Sequence, residues 1–170
     1  MTVLVAAASK YGATDEIAER IGADLASLGV DVEVKKLELV RELDRYEAFV
    51  LGSGIYLGTW PKRARRFVDA HAAELSAHPT WLFGSGSIVG HPPVADDPNA
   101  VRSTLVETLV KSTHAREHKL FAGKLDKRKL GPAAKLSVSL ARATEGDHRD
   151  WQAVDDWAAA IARELQQTEA

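Results

Sequence analysis

The regular alternation of short apolar runs with amphipathic helical patterns is the feature that most restricts how this chain can fold. Residues 3–8 form a continuous apolar run followed by a glycine-containing segment, which is typical of a strand buried on both faces. In residues 30–34 apolar and charged side chains alternate, as expected for an edge strand with one solvated face. Three further strands are predicted over residues 48–51, 81–83 and 120–122.

Helical patterns occupy the intervals between these strands. Apolar residues recur at helical spacing from Ile17 to Leu28, and Gly29 ends that pattern. Further helices are predicted over residues 61–76, from N-caps at Asp97 and Asp150, and, as a short helix around Leu136, within the irregular stretch 124–149. Strands that alternate with helices need right-handed crossovers, which place helices on both faces of a parallel sheet. Residues 1–170 are therefore predicted to form one α/β domain with a doubly wound, five-stranded parallel sheet.

Charge and residue usage exclude several classes of protein. The chain has 22 Lys and Arg against 24 Asp and Glu, and this net charge of −2 argues against a nucleic-acid-binding protein. It has no cysteine, which excludes disulfides, iron–sulfur clusters and cysteine nucleophiles. The apolar start is short and no basic stretch precedes it, so we expect neither a signal peptide nor a membrane span, and a cytoplasmic location. Peripheral membrane contact and the oligomeric state stay open.

The loop after the first strand has the composition of an anion site. In open parallel sheets, ligands bind beyond the carboxyl ends of the strands. Here Ser9 and Thr14 offer hydroxyls, Gly12 permits a positive φ, and the free amides of a helix N-terminus follow. The alternative is a plain strand-to-helix turn in which Thr14 is the N-cap. Asp15 and Glu16 suit a bare helix terminus but would repel a bound dianion.

Two glycine-rich segments follow the third and fourth predicted strands. Both have the pattern Gly-Ser-Gly-x-x-x-Gly, over residues 52–58 and 84–90. Small residues would let the backbone approach a flat ligand closely, and Tyr56 and Trp60 could stack on it. The alternative is that both segments are flexible turns and that Trp60 lies in the core.

The histidines and the remaining motifs favour no other chemistry. His71 lies on the apolar stripe of its helix and is predicted to be a buried histidine, and His114 and His118 are predicted to lie on the surface rather than to bind a metal. His91 borders the expected ligand edge, but no catalytic residue is assigned. The dinucleotide fingerprint, the Gly-Lys-Ser/Thr phosphate loop and the Gly-x-Ser-x-Gly elbow are all missing from the sequence.

Taken in order, these segments resemble the flavodoxin-like family. The similar segments are Ser-Lys-Tyr-Gly-Ala-Thr at 9–14, Gly-Ser-Gly-Ile-Tyr at 52–56, the Phe67-Val68 helix and the Asp150-Trp151 helix start. The resemblance covers nearly the whole chain and is greatest to the flavodoxin-domain proteins that include menaquinone-dependent protoporphyrinogen dehydrogenase. It implies a flavodoxin-like strand order of 2-1-3-4-5 and FMN as the cofactor.

The resemblance also assigns cofactor-binding residues, and it assigns no residue as a proton donor. The phosphate would be held by Ser9, Lys10, Tyr11, Gly12, Ala13 and Thr14. The isoalloxazine ring would be flanked by Ser53, Gly54, Ile55, Tyr56, Leu57 and Gly58 on one side and by Ser85, Gly86, Ser87, Ile88, Val89 and Gly90 on the other.

Three functions stay open on this basis. The first is an FMN-dependent oxidoreductase or electron carrier, the second a quinone-dependent protoporphyrinogen dehydrogenase of heme biosynthesis, and the third a non-enzymatic module that binds another phosphate ligand. The partner would be a redox protein or a small anionic substrate. The basic cluster Lys62, Arg63, Arg65 and Arg66 is predicted to place some of its charges at the rim of the site, with Lys10 and Lys124 nearby.

Overall fold

A five-stranded parallel sheet forms the centre of the protein in the computed structural model, which describes residues 1–56, 59–86, 104–140 and 145–169. The strand order is 2-1-3-4-5, as the resemblance implies, and the edge position predicted for the second strand is confirmed. All neighbouring strands in this sheet are parallel. The strands are β1 (Thr2–Ala8), β2 (Asp31–Lys36), β3 (Ala48–Gly54), β4 (Thr80–Gly86) and β5 (Glu117–Ala122).

Helices cover both faces of the sheet, as predicted. They are α1 (Ala13–Ser27), α2 (Lys62–Ala70), α3 (Ala72–Ser76), α4 (Thr104–Thr113), α5 (Pro132–Leu140) and α6 (Trp151–Glu169). Asp150 is the N-cap of α6, since its carboxylate accepts a hydrogen bond from Ala153 N at 3.1 Å. The N-cap predicted at Asp97 lies outside the described residues. None of the helices within the described ranges is long and apolar enough to cross a membrane.

The helix predicted over residues 61–76 is instead two helices that meet at His71. The His71 amide is shared between the carbonyls of Phe67 and Val68, both at 3.2 Å, and φ at His71 is −110°. The chain turns there, and helical bonding resumes where Leu75 N donates to the His71 carbonyl oxygen at 2.9 Å. Apolar spacing alone predicted one continuous helix because the stripe continues across this turn.

Successive residues of β1 face two different hydrophobic cores. Val3, Val5 and Ala7 pack with α1 and α6, whereas Leu4 and Ala6 pack with α2 and α4. The first core contains an aromatic cluster of Phe83, Phe121 and Trp157, whose ring centroids are 5.6–6.1 Å apart. This two-sided burial explains why β1 is apolar without alternation.

The first three residues of each glycine-rich segment predicted as a loop form the carboxyl end of a strand. Residues 52–54 belong to β3 and residues 84–86 to β4, and Ser53 pairs with Ala8 in β1. Their glycines make room for neighbouring side chains: a Cβ on Gly52 would lie 2.0 Å from Cζ of Phe83, and one on Gly84 would lie 2.4 Å from Cδ1 of Ile55. Close packing within the protein, rather than turn flexibility, therefore requires glycine at these positions.

The irregular stretch between β5 and α6 has structure of its own. Two short strands, β6 (Lys124–Leu125) and β7 (Gly146–Asp147), pair antiparallel. A 3₁₀ turn at Lys127–Lys129 and helix α5 lie between them. The short helix predicted around Leu136 is thus confirmed, and Leu136 itself is 62% exposed.

Candidate functional site

A cavity of about 950 Å³ opens at the carboxyl edge of the sheet, where ligands bind in folds of this topology. This volume lies within the range of roughly 300–1,000 Å³ that is usual for small-molecule sites. The predicted cofactor-binding residues that line it are Ser9, Lys10, Tyr11, Ala13, Thr14, Ile55, Tyr56, Ser85 and Gly86.

The other predicted residues are placed differently. Gly12 does not line the cavity, although it shapes the loop beside it. Ser53 and Gly54 are buried within β3 and do not reach the cavity. Leu57, Gly58, Ser87, Ile88, Val89 and Gly90 lie outside the described residues, as does His91.

Gly12 gives the loop after β1 the shape of an anion-binding turn. Its φ is +90°, in the left-handed region that favours glycine, and its amide donates to Ser9 Oγ at 2.9 Å. The first helical bond of α1 runs from Glu16 N to Gly12 O at 3.1 Å. The amides of Ala13, Thr14 and Asp15 therefore precede the intrahelical ladder and face the end of the helix where anions bind.

The N-cap of α1 is Gly12, and the prediction that Thr14 is the N-cap is wrong. A glycine with positive φ starts the helix earlier, so Thr14 lies inside the first turn. Thr14 is only 3% exposed and lines the cavity, and its hydroxyl makes no hydrogen bond to any residue within the described ranges. This arrangement leaves the Thr14 hydroxyl available to a ligand in the cavity.

Two tyrosines stand beside this loop. The Tyr56 hydroxyl accepts a hydrogen bond from Lys10 N at 3.2 Å, and the rings of Tyr56 and Tyr11 meet edge to face with centroids 6.4 Å apart. Burial raises the pKa of the Tyr56 phenol, so it is neutral at physiological pH. Tyr56 also explains Gly54, where a Cβ would lie 2.7 Å from the Tyr56 hydroxyl oxygen.

Trp60 does not face the cavity. It is fully buried in the core between the sheet and α2, as the alternative reading predicted, so it cannot stack on a ligand. Its carbonyl accepts a hydrogen bond from Arg65 Nε at 3.0 Å, so the side chain of this member of the basic cluster is bound to the backbone.

The histidine predictions are partly wrong. His71 is not buried in the core: its side chain is 30% exposed, stacks on Phe67 at 4.7 Å and lines the cavity. His118 is not a surface residue, because its position on β5 turns it towards Trp60, with ring centroids 6.3 Å apart. Burial lowers the pKa of His118 to about 4, which leaves it neutral. His114 is exposed, as predicted.

Positive side chains line the rim, as predicted from the basic cluster. Arg63 and Arg66 of α2 line the cavity together with Lys10 and Lys124. Neither arginine forms an ion pair with another residue of the described ranges. Arg63 and Arg66 therefore contribute positive charge without an ion-pair partner in the described ranges to a lining that also includes Glu16, Glu38 and Asp126.

Sequence reasoning missed two walls of the cavity. One consists of Leu37, Val40 and Arg41 after β2, and the other of Leu125 and Leu130 after β5. Arg149, whose guanidinium lies at the start of α1, was also missed. No motif marks these residues, because tertiary folding brings them to the site from distant parts of the chain.

The comparisons with known proteins agree with this geometry. The flavodoxin-domain family model matches residues 4–152. Protoporphyrinogen IX dehydrogenase [quinone] of Escherichia coli strain K12 is 28% identical over 94 residues, which are 54% of this chain and 52% of that protein. The chain thus spans about half the length of the curated relatives that it matches.

Solved structures show the same fold at low sequence identity. A flavodoxin from the domain Archaea has a TM-score of 0.66 at 20% identity, covering 98% of this chain and 99% of that chain. Oxidised flavodoxin 2 from Bacillus cereus has a TM-score of 0.59 at 24% identity, covering 96% and 99%. Rubredoxin oxygen:oxidoreductase from Desulfovibrio gigas has a TM-score of 0.67 at 13% identity, covering 99% of this chain and 37% of that chain. Because the family model matches most of the chain, including the loop after β1 and the carboxyl ends of β3 and β4, the protein belongs to the flavodoxin-domain family.

Proposed function

We propose that this protein binds one FMN per chain in the cavity at the carboxyl edge of the sheet and takes part in electron transfer or oxidoreduction through it. The observation that carries the proposal is the loop at residues 9–14, where Thr14 is a buried residue whose hydroxyl has no hydrogen-bond partner in the described ranges, and where the neighbouring amides precede the helical ladder. That donor set suits a phosphate ester.

The rest of the cavity fits the remainder of such a ligand. Tyr11, Tyr56 and Ile55 offer aromatic and aliphatic surface beside the loop, as a flat ring requires. FMN supplies the electron-transfer chemistry when it is bound, and the protein supplies its position and surroundings. The chain's own part is to hold the phosphate at the loop, to place apolar side chains against the ring and to present positive charge at the rim.

The decisive experiment is titration of the purified apo-protein with FMN, riboflavin and FAD, followed by flavin fluorescence. FMN should bind with a stoichiometry of one. Riboflavin should bind at least roughly 100-fold more weakly, because each lost hydrogen bond to a charged group is worth about 1.5–3 kcal/mol. FAD should also bind more weakly, since the loop suits a terminal monophosphate. Equal affinities for FMN and riboflavin would contradict the phosphate assignment, and binding of some other phosphate ligand alone would favour a non-enzymatic module.

A second candidate is oxidation of a porphyrinogen with a quinone as the acceptor. It is supported by the similarity to protoporphyrinogen IX dehydrogenase and by the positive rim at Arg63 and Arg66, which suits a substrate with carboxylates. An assay of the FMN-loaded protein with protoporphyrinogen IX and a menaquinone analogue tests it directly. Turnover above the spontaneous rate supports this candidate, and a rate equal to that of free FMN excludes it.

A further inference from the structure

Arg149 is an almost fully buried cation at the N-terminus of α1. Its side chain is 4% exposed, although its neighbours in the chain, His148 and Asp150, are exposed. Nε and Nη2 donate to the two carboxylate oxygens of Asp147 at 2.8 and 2.6 Å. Nη1 donates to the Glu16 carboxylate and lies 3.4 Å from the Ala13 carbonyl oxygen. The guanidinium also lies over the Trp151 ring, 4.6 Å from its centroid.

Glu16 is the residue for which this arrangement matters most. It lies in the first turn of α1, lines the cavity and has a side chain that is 50% exposed. An unpaired carboxylate there would be attracted by the positive end of the helix and would compete with a bound anion for the same field. The hydrogen bond from Arg149 holds the Glu16 carboxylate on the side of α1 that faces the start of α6, and the guanidinium supplies the opposite charge.

Asp147 holds the guanidinium in place from the other side. Its hydrogen bonds with Arg149 lower the pKa of Asp147 to about 2, so that carboxylate is ionised at neutral pH. Asp147 does not line the cavity, whereas Glu16 does. A planar guanidinium can bind two carboxylates along different edges, which a lysine ammonium cannot do with the same geometry.

We propose that Arg149 is a positioning residue for the anion site at residues 9–14: it pairs Glu16, holds that carboxylate aside and so allows a phosphate dianion to occupy the helix N-terminus. The inference rests on the proposed function in that the anion is taken to be the FMN phosphate. It goes further by assigning a role to the connection between β5 and α6, because β7 carries the arginine to the loop after β1.

The test compares Arg149→Met with Glu16→Gln, with the double variant Arg149→Met/Glu16→Gln, and with a matched control. Arg116→Met is that control, because Arg116 also pairs with a carboxylate, Glu164, and lies over a tryptophan ring, 5.0 Å from the Trp81 centroid, but neither Arg116 nor Glu164 lines the cavity. Arg149→Lys is a second variant, which keeps the positive charge but loses the planar group that binds two carboxylates along different edges. Apo-protein melting shows which variants are folded.

Two probes are titrated into each folded apo-protein. Inorganic phosphate is followed through the amide NMR shifts of Gly12, Ala13 and Thr14, and FMN and riboflavin are followed by fluorescence. We expect Arg149→Met to weaken phosphate and FMN binding on the order of tenfold, because one unpaired charge is left near the anion. Arg149→Lys should lose less, Glu16→Gln should restore the affinity in the double variant, and riboflavin binding should be unchanged. Arg116→Met should bind like the wild type.

Three results would overturn the inference: undiminished phosphate binding in Arg149→Met, equal losses for FMN and riboflavin, or no restoration by Glu16→Gln. If the wild type binds phosphate, Arg149→Met binds it more weakly, and the wild type does not bind FMN, the proposed function is refuted and the inference stands. A wild-type protein that binds neither would refute both.

Discussion

At the scale of single residues, Thr14 shows how helix position determines what a hydroxyl can do. When a threonine caps a helix, its hydroxyl accepts a hydrogen bond from a backbone amide, and removing that hydroxyl lowers the stability by about 1 kcal/mol. Here Gly12 is the N-cap of α1, and Thr14 is a buried residue at the cavity whose hydroxyl makes no hydrogen bond to any described residue. The same side chain is therefore expected to serve ligand binding and not helix capping.

Replacing Thr14 by valine, which keeps the shape and removes the hydroxyl, tests this distinction. The free energy of unfolding of the apo-protein should change by less than about 0.5 kcal/mol, because no capping bond is lost. FMN binding should weaken by about 1.5–3 kcal/mol, since a hydrogen bond to a charged group is removed. Urea unfolding and fluorescence titration measure the two effects. Thr14→Ser is the matched control and should retain most of the affinity, whereas a stability loss with unchanged FMN affinity would restore the capping role.

At the scale of secondary-structure elements, β3 and β4 show that a glycine near the carboxyl end of a strand can be required by close packing against a neighbouring side chain. Gly52 lies opposite Phe83 across the strand pair, and its missing side chain leaves room for that ring. Phe83 in turn packs against Phe121 and Trp157. Glycine at this position therefore supports the aromatic cluster beneath α6.

Gly52→Ala should destabilise the protein by about 1–3 kcal/mol, because a Cβ cannot be accommodated 2.0 Å from Cζ of Phe83 without movement of the ring. Gly131→Ala is the matched control, since nothing lies within 4 Å of the Cβ it would add. That variant should stay within about 0.5 kcal/mol of the wild type. Urea denaturation midpoints compare the two. Equal small effects would show that the sheet tolerates the methyl group and that packing does not require Gly52.

The elements also show why sequence patterns predicted some features and not others. The buried run of β1, the alternating edge strand β2 and the Asp150 cap depend on neighbours in the sequence, and these predictions are confirmed. Gly52 of β3 and Gly84 of β4 depend on Phe83 and Ile55, which reach them from the neighbouring strand or from the residue that follows it. A local rule reads glycine as a break in β-structure and has no means of detecting such partners.

At the scale of the whole molecule, the topology was predictable and the walls of the cavity were not. Alternating strands and helices fix a parallel sheet, and a parallel sheet fixes the edge at which ligands bind. Arg41, Leu125, Leu130 and Arg149 reach that edge only through the arrangement of complete elements. Because their local sequence carries no phosphate or flavin signature, only the folded structure reveals them.

The charge distribution of the whole molecule gives a further prediction. The net charge is only −2, yet Arg63 and Arg66 place positive charge at the cavity rim. Stopped-flow reduction of the FMN-loaded protein by dithionite, an anion, should therefore slow as salt rises from 0.01 to 0.15 M, where the screening length falls from about 30 to about 8 Å. Arg63→Glu/Arg66→Glu should slow reduction on the order of tenfold at low salt while the spectrum of bound FMN is unchanged.

The matched control reverses two positive charges that do not line the cavity. Lys111→Glu/Arg163→Glu changes the net charge equally, on helices α4 and α6, and neither residue lines the cavity. This control should reduce at nearly the wild-type rate. A rate that is independent of salt, or equally slowed in both double variants, would leave the basic start of α2 without a role in steering.

The separation of the cavity walls along the chain has a consequence for the time at which the site is assembled during synthesis. The loop at residues 9–14 leaves the ribosome early, whereas Leu125 and Leu130 follow roughly 110 residues later. At about 5–20 residues per second, the segment 9–14 therefore exists for roughly 5–20 seconds before Leu125, Leu130 and Arg149 are added. If FMN is the ligand, as we propose, the complete cavity becomes available to it only after these residues have been synthesised.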